Sequence, residues 1–306
     1  MTQFIIRRLG YSFLSLLLLS LTIFLFVRMT GDPTTLLVEP GASKEDIEAI
    51  RQRFGLDRPL WEQYGYFLWS LLQGDFGQSF YYRMPVLELY LTRLPNSLLL
   101  AAAAMTFSLL VGIPSGILAA VRVGRFWDRA GKIFVLLGLS LPSFWVGLVL
   151  ILFFSVYLEW LPSSGSGTVW HLLMPAFALG WFFAAANMRM TRSSMLDVLG
   201  SEYIKLARLK GLPEWRVITK HAFKNALIPV LTLAGINLII MINVAVVVET
   251  VFAWPGIGRL LYEGITFRDF PVVQAIVLLG GAMIVVVNLL IDILYAIIDP
   301  RIRLEA

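Results

Sequence analysis

Six stretches of the chain carry essentially no charge: residues 9–27, 96–121, 133–158, 172–188, 226–248 and 272–298. Each is far longer than the apolar run of a buried strand. A hydrocarbon layer roughly 30 Å thick takes about 20 helical residues to cross. Backbone N–H and C=O groups cannot be left open in lipid, so each stretch is expected to be a transmembrane helix. The second is rich in Ala and Leu, which favour helix in any case. Pro95, Pro229 and Pro271 stand at expected helix starts, where a missing N–H costs little. Pro114, Pro142 and Pro175 fall inside or near spans and should kink them. The fold class read from this pattern is an all-α integral membrane protein with six spans.

The segment between the first two spans, residues 30–94, is too long to be a simple connection. Ser43 with Asp46 three residues on has the form of a capping box, and Gly55 can stop the helix it opens, predicting a helix over residues 44–54. Pro59 and Gly74 bracket a second helix. Its apolar residues Leu60, Trp61, Tyr64, Phe67, Leu68, Leu71 and Leu72 share one face, which should pack on the spans or else lie along the bilayer surface. The chain thus divides into an N-terminal membrane helix (1–29), an extracytoplasmic helical segment (30–94) and a five-helix core (95–306) that contains an inner loop at 190–225.

Composition agrees with this picture. Of 306 residues, 58% are hydrophobic and 15% charged, and the mean hydropathy is +0.78, whereas soluble domains are about a quarter charged. Arg7 and Arg8 before the first stretch resemble the start of a secretory signal. The stretch is longer than a signal's apolar core, and no small-x-small cleavage site follows, so a retained first span is expected. Lys and Arg set the orientation. They cluster before span one, between spans two and three (Arg122, Arg125, Arg129, Lys132), between four and five (Arg189, Arg192, Lys205, Arg208, Lys210, Arg216, Lys220, Lys224) and after span six (Arg301, Arg303). Residues 159–171 have none, and residues 249–271 have only Arg259 and Arg268. Both termini are therefore expected inside.

Several chemistries are excluded. Gly131-Lys132 is followed by Ile133, so there is no phosphate-binding G-x-x-x-x-G-K-[ST] loop, and ATP hydrolysis by this chain alone is not expected. Cysteine is absent, and the two histidines, His171 and His221, fall on opposite sides of the membrane, which leaves no metal site, cofactor site or hydrolytic triad. The expected spans contain the amides Asn237, Asn243 and Asn288 and one acid, Asp292. The amides read as interhelical hydrogen bonds or as lining for a pathway; Asp292 reads as a cap or ion pair near the inner end. Gly112-x-x-x-Gly116 permits close helix approach, within the chain or between subunits.

The inner loop is the most informative stretch. Gly200 interrupts the helix leaving span four, Ser201 can cap a new one, and Glu202 suits its N-terminus as Arg208 and Lys210 suit its C-terminus. Gly211 stops it and Pro213 starts the next helix, which runs on into span five. A helix of about nine residues is unstable alone, so something must pack on it. Tyr203, Leu206, Ala207 and Lys210 share a face on which a partner could dock. The competing reading is a basic loop resting on anionic lipid.

Residues 202–229, EYIKLARLKGLPEWRVITKHAFKNALIP, resemble the EAA loop of permease subunits in bacterial ATP-binding-cassette importers. Gly74-Asp75-Phe76-Gly77, Arg93-Leu94-Pro95, the run ETVFAWPGIG at 249–258 and Asp299-Pro300-Arg301 are similar to the dipeptide, oligopeptide and nickel branch. Ala207 and Gly211 match the loop's second alanine and its glycine. Lys205 and Leu206 replace its Glu and first Ala, Lys224 stands where the pattern has proline, and Glu202 stands in for the acid. The resemblance implies a type I (MetI-like) permease fold in the bacterial inner membrane, forming half of a translocation pathway for peptides. It implies a second homologous permease, two ATPase subunits that carry the ATP and Mg, and an extracytoplasmic binding protein as partners, with no nucleic acid. Glu202, Tyr203, Leu206, Ala207, Lys210, Gly211 and Leu212 would couple to the ATPase. Glu249, Trp254 and Gly256 would touch the binding protein, or else form a turn dipping into the bundle. Nickel, glutathione or opines are alternative cargoes. A self-contained secondary transporter is the remote alternative, and it lacks the internal repeats and intramembrane charges that class needs.

Overall fold

The computed structural model describes residues 2–29, 43, 45, 48, 52 and 57–298, with no side-chain description at 2–6, 8, 9 and 288–298. Of the helix expected at 44–54, only Glu45, Glu48 and Gln52 are described, all helical; Asp46 of its capping box and Gly55 lie outside the described residues, as does Asp299-Pro300-Arg301.

The described residues are helical throughout, apart from turns and one isolated bridge, Gln78 to Pro85. Helices α1 (Thr2–Met29), α2 (Leu60–Leu72), α3 (Val86–Val121), α4 (Phe126–Ser140), α5 (Ser143–Leu150) and α6 (Val169–Leu199) come first. Then follow α7 (Glu202–Leu209), the single turn α8 (Glu214–Arg216), α9 (Phe223–Val251), α10 (Ile257–Thr266) and α11 (Phe270–Ile298). Five segments are long and apolar enough to cross a membrane, and the count reaches six when α4 is joined with Ser143–Tyr157, which is α5 and the π-helical Ile151–Tyr157 that continues it, as one broken span.

Three helix boundaries differ from expectation. Pro95 does not open a span; α3 begins at Val86 and runs through both Pro95 and Pro114. Pro229 likewise lies inside α9. At Pro142 the third span is broken rather than kinked, its halves meeting at 103°. The ring of Pro142 removes the N–H that would continue α4, and Leu141 is extended.

Two units make up the chain. Pro95–Arg259 is contiguous. Its centre is α6, whose Gly180, Ala184 and Ala185 let neighbours approach to backbone distance, the contact available where lipid offers no hydrophobic drive. A Cβ added to Gly112 would sit 2.7 Å from the Ala184 carbonyl oxygen, and one added to Gly116 would sit 2.6 Å from Thr191 Cβ. The Gly112-x-x-x-Gly116 pair therefore serves packing within the chain. Around it lies a core of Leu100, Ala104, Leu179, Phe183, Met241, Val248 and Phe252.

The other unit joins Met1–Leu94 to Leu260–Ala306. Here α11, assigned from sequence to the 95–306 core, packs on α1: Ile23 and Val27 meet Phe270 and Leu278. The α2 helix packs on this pair through Phe67 and Leu71, and Tyr64 places its hydroxyl 2.8 Å from Ser20 Oγ. Of the two expectations for its apolar face, packing on the spans holds for these residues, while Leu60, Trp61 and Leu72 stay exposed. Asp269, buried before α11, accepts the Ser79 hydroxyl and the Tyr81 N–H.

Candidate functional site

The inner loop folds as a short helix clasped at both ends. Gly200 ends α6 and Gly211 ends α7. Gly211 adopts φ +77°, a conformation that costs a residue with a side chain about 1–2 kcal/mol. The turn is closed by N–H groups of Gly211 to Arg208 O (2.9 Å) and Leu212 to Ala207 O (3.4 Å), which satisfy carbonyls left open at the helix end. Arg208 forks across the turn onto the Glu214 carboxylate at 2.7 and 3.1 Å. That hydrogen-bonded carboxylate raises the Arg208 pKa above its ordinary value. The pair is exposed and worth little on its own, but it ties α7 to the start of α8. The N-terminal cap differs from expectation: Ser201 is extended, yet its hydroxyl donates back to Val198 O and caps nothing.

Eight residues cannot hold a helix in water, and what holds α7 is its inner face. Ile204 and Ala207 are buried in a cluster with Ala120 of α3, Met195 of α6, and Val217, Ala222 and Ala226 of the segment entering α9. Leu212 packs against the same cluster. Ala207 and Leu212, expected to meet a partner, therefore face their own chain; a small residue at 207 lets the helix seat closely. Residues 217–222 form a wide π-type turn between α8 and α9, with Val217 and Ala222 fully buried. Asn225 donates to the Tyr203 hydroxyl at 2.7 Å.

The outward face consists of Glu202 and Lys205, paired at 2.7 Å, with Tyr203, Leu206, Leu209 and Lys210. Leu209 is 84% exposed, Leu206 52% and Trp215 63%. Leu209 and Trp215 were not singled out from sequence. With Ile204 and Ala207 buried, helical spacing places 206 and 209 on the opposite side. Asp128 was also missed. It is fully buried and accepts Gly124 N–H (2.9 Å), Arg192 Nε (2.8 Å) and Lys132 Nζ (3.0 Å), binding the start of α4 to the inner end of α6.

The other expected site residues do not gather. Asn237 is buried with no partner for its Nδ2, Asn243 is exposed and donates to its own Ile239 O, and the side chains of Asn288 and Asp292 lie outside the described residues. Glu249, Trp254 and Gly256 are all buried, which fits the turn dipping into the bundle, one of the two expectations for this run. Glu249 accepts the Ser97 hydroxyl (2.6 Å) and the Arg259 N–H (3.0 Å), and Ser97 Oγ accepts the Ile257 N–H (2.7 Å). These are orphan donors of the first turn of α10, where a carboxylate also complements the helix dipole. Trp254 Nε1 donates to Asn96 O at 3.0 Å, and a Cβ on Gly256 would strike the Glu249 carboxyl. The run at 249–258 is thus a folded latch.

Comparison with known proteins places these features in a lineage. Residues 112–304 match the family described as binding-protein-dependent transport system inner membrane component, and residues 1–101 match its N-terminal counterpart. The dipeptide transport system permease protein DppB of Escherichia coli (strain K12) is 40% identical over 336 residues, covering 99% of each chain. The glutathione transport system permease protein GsiC of the same strain is 40% identical over 304 residues, again covering 99% of each. Among solved structures, a chain of the inward-facing MetNI methionine ABC transporter aligns with TM-score 0.57 at 20% identity, over 70% of this chain and 97% of that one. A chain of an amino acid ABC transporter crystallised with histidines aligns at 0.54 and 16% identity, over 68% and 92%. A shared fold with such transporters and full-length likeness to two permeases agree with the profile matches: this chain belongs to the binding-protein-dependent transport system inner membrane component family.

Proposed function

We propose that the chain is one of two paired permease subunits of an importer for short peptides, and that ATPase subunits drive it through α7. The observation that carries this reading is the two-sidedness of α7. Its inner face is locked to the inner ends of three spans, while its outer face presents Leu206 and Leu209 with nothing over them among the described residues. A helix of this kind fits a groove on a partner, and a push on it reaches α3, α6 and α9 together. Reversing a two-state population from 1:99 to 99:1 takes about 5.5 kcal/mol of differential binding, which a rigidly seated helix can transmit and a floppy basic loop cannot. ATP and Mg belong to the partner, and both termini lie on the ATPase side. Peptide cargo is favoured by likeness to the dipeptide and glutathione permeases, since glutathione is itself a small peptide.

The test uses the reconstituted complex. Leu206→Glu and Leu209→Glu alter exposed positions only, so the chain should insert and melt as the wild type does. Both are expected to lose ATPase co-purification and uptake of a radiolabelled dipeptide. Wild-type coupling in both variants would reject α7 as the point of contact. The cognate binding protein's affinity for dipeptides against glutathione and nickel would then name the cargo.

A further inference from the structure

We infer that the unit formed by α1, α2 and α11 binds a glycerophospholipid at a built site, with the phosphate held by Arg28 and Arg58 and an acyl chain laid along the groove beneath α2. Two cavities border α2. One, of about 460 Å³, is lined by Arg28, Arg58, Gln63, Ser70 and Asp75. The other, of about 430 Å³, is lined by Leu16, Leu17, Leu68, Leu72, Leu279 and Ala282, with Ser20 the one polar side chain among its described lining residues. Phe76 borders both. Each has the volume of an ordinary ligand pocket, and together they offer a polar end and an apolar end to one amphiphile.

Charge selects what enters the polar end. Among the described residues neither guanidinium has a carboxylate within ion-pair reach. Arg28 lies over the Phe24 ring at 4.5 Å with its Nε buried and without an acceptor, and Arg58 lies over Tyr66 at 4.9 Å. Asp75, the one acid among the described lining residues, spends an oxygen on the Gly77 N–H. A buried guanidinium N–H without an acceptor is costly, and a phosphate offers what it lacks. Arg28 stands in the last turn of α1, where the apolar span ends and long cations reach the headgroup level. A phosphodiester sits at that depth with acyl chains directly below it, which is where the apolar groove runs.

The experiment is native mass spectrometry of the detergent-purified complex, counting phospholipid carried by this chain. Wild type is expected to retain it. Arg58→Gln, an exposed position whose loss does not threaten folding, should weaken retention about tenfold, and Arg28→Gln/Arg58→Gln further. Arg58→Lys should keep most of it. Ala282→Trp fills the groove without touching either arginine and should also expel the lipid. Palmitoyl-oleoyl phosphatidylglycerol should rebind delipidated wild type, and equimolar inorganic phosphate should not displace it. Retention unchanged by the double variant, retention unchanged by Ala282→Trp, displacement by inorganic phosphate, or a photo-crosslinker at Leu68 that captures a neighbouring protein helix would each overturn the inference.

Discussion

Ile204→Ala isolates the seat of α7 from its outer face. The Ile204 side chain is fully buried against Ala120, Met195 and Val217. Truncation removes three carbons, about 2.4 kcal/mol at 0.8 kcal/mol per carbon, and the cavity left behind brings the cost to roughly 3 kcal/mol. Because an eight-residue helix has almost no stability of its own, that cost falls chiefly on the docking of α7 rather than on the spans. It corresponds to on the order of 100-fold in the opening equilibrium of the loop. Hydrogen exchange on the purified complex should therefore show residues 202–210 exchanging on the order of 100-fold faster, with α6 and α9 little changed. ATPase turnover should then respond less to the binding protein, and uptake should fall even though the outward side chains are intact. Ile204→Val, costing about 1 kcal/mol, should sit between. Wild-type exchange at 202–210 in Ile204→Ala would refute the claim that burial of this one residue holds the helix, and faster exchange with undiminished uptake would refute rigid transmission.

Two further predictions concern the fold. Gly116→Ala should lower the melting temperature in detergent, at a cost of about 1–3 kcal/mol, because its Cβ meets Thr191 Cβ at 2.6 Å; Gly280→Ala, with open space around it, is the control. Glu249→Ala should destabilise by about 3 kcal/mol, because it leaves the Ser97 hydroxyl and the Arg259 N–H without their acceptor. Glu249→Gln keeps one acceptor oxygen and should cost less, and equal melting of the two variants would refute the latch.

The spans and the punctuation of the inner loop were legible because lipid enforces long apolar helices and because Gly200, Gly211 and Pro213 act locally. What escaped the sequence was long-range. Nothing near Ala207 or Leu212 says that they turn inward; that depends on Ala120 and Met195, far away along the chain. For Glu249 and Trp254 the sequence left a surface contact and a turn into the bundle equally open. Their burial rests on Ser97, Asn96 and the opening turn of α10, partners brought by a different span. Pro95 and Pro229 misled because their neighbours' packing sustains helix through a missing N–H, whereas at Pro142 the chain breaks outright. Asp128 was overlooked because one acid among four nearby cations looks like a solvated face until Arg192 arrives from α6.

The pairing of α1 with α11 has a consequence for biogenesis. Ile23 and Phe270 touch across about 250 residues of intervening sequence, which a ribosome takes roughly 12–50 s to synthesise at 5–20 residues per second. Residues 95–259 complete their own contacts during that interval, while α1 has α2 but not α11 to pack on until the last span emerges. Synthesis arrested before α11 should leave the face of α1 formed by Ile23 and Val27 without its α11 partner, a species that membrane quality-control proteases would meet first.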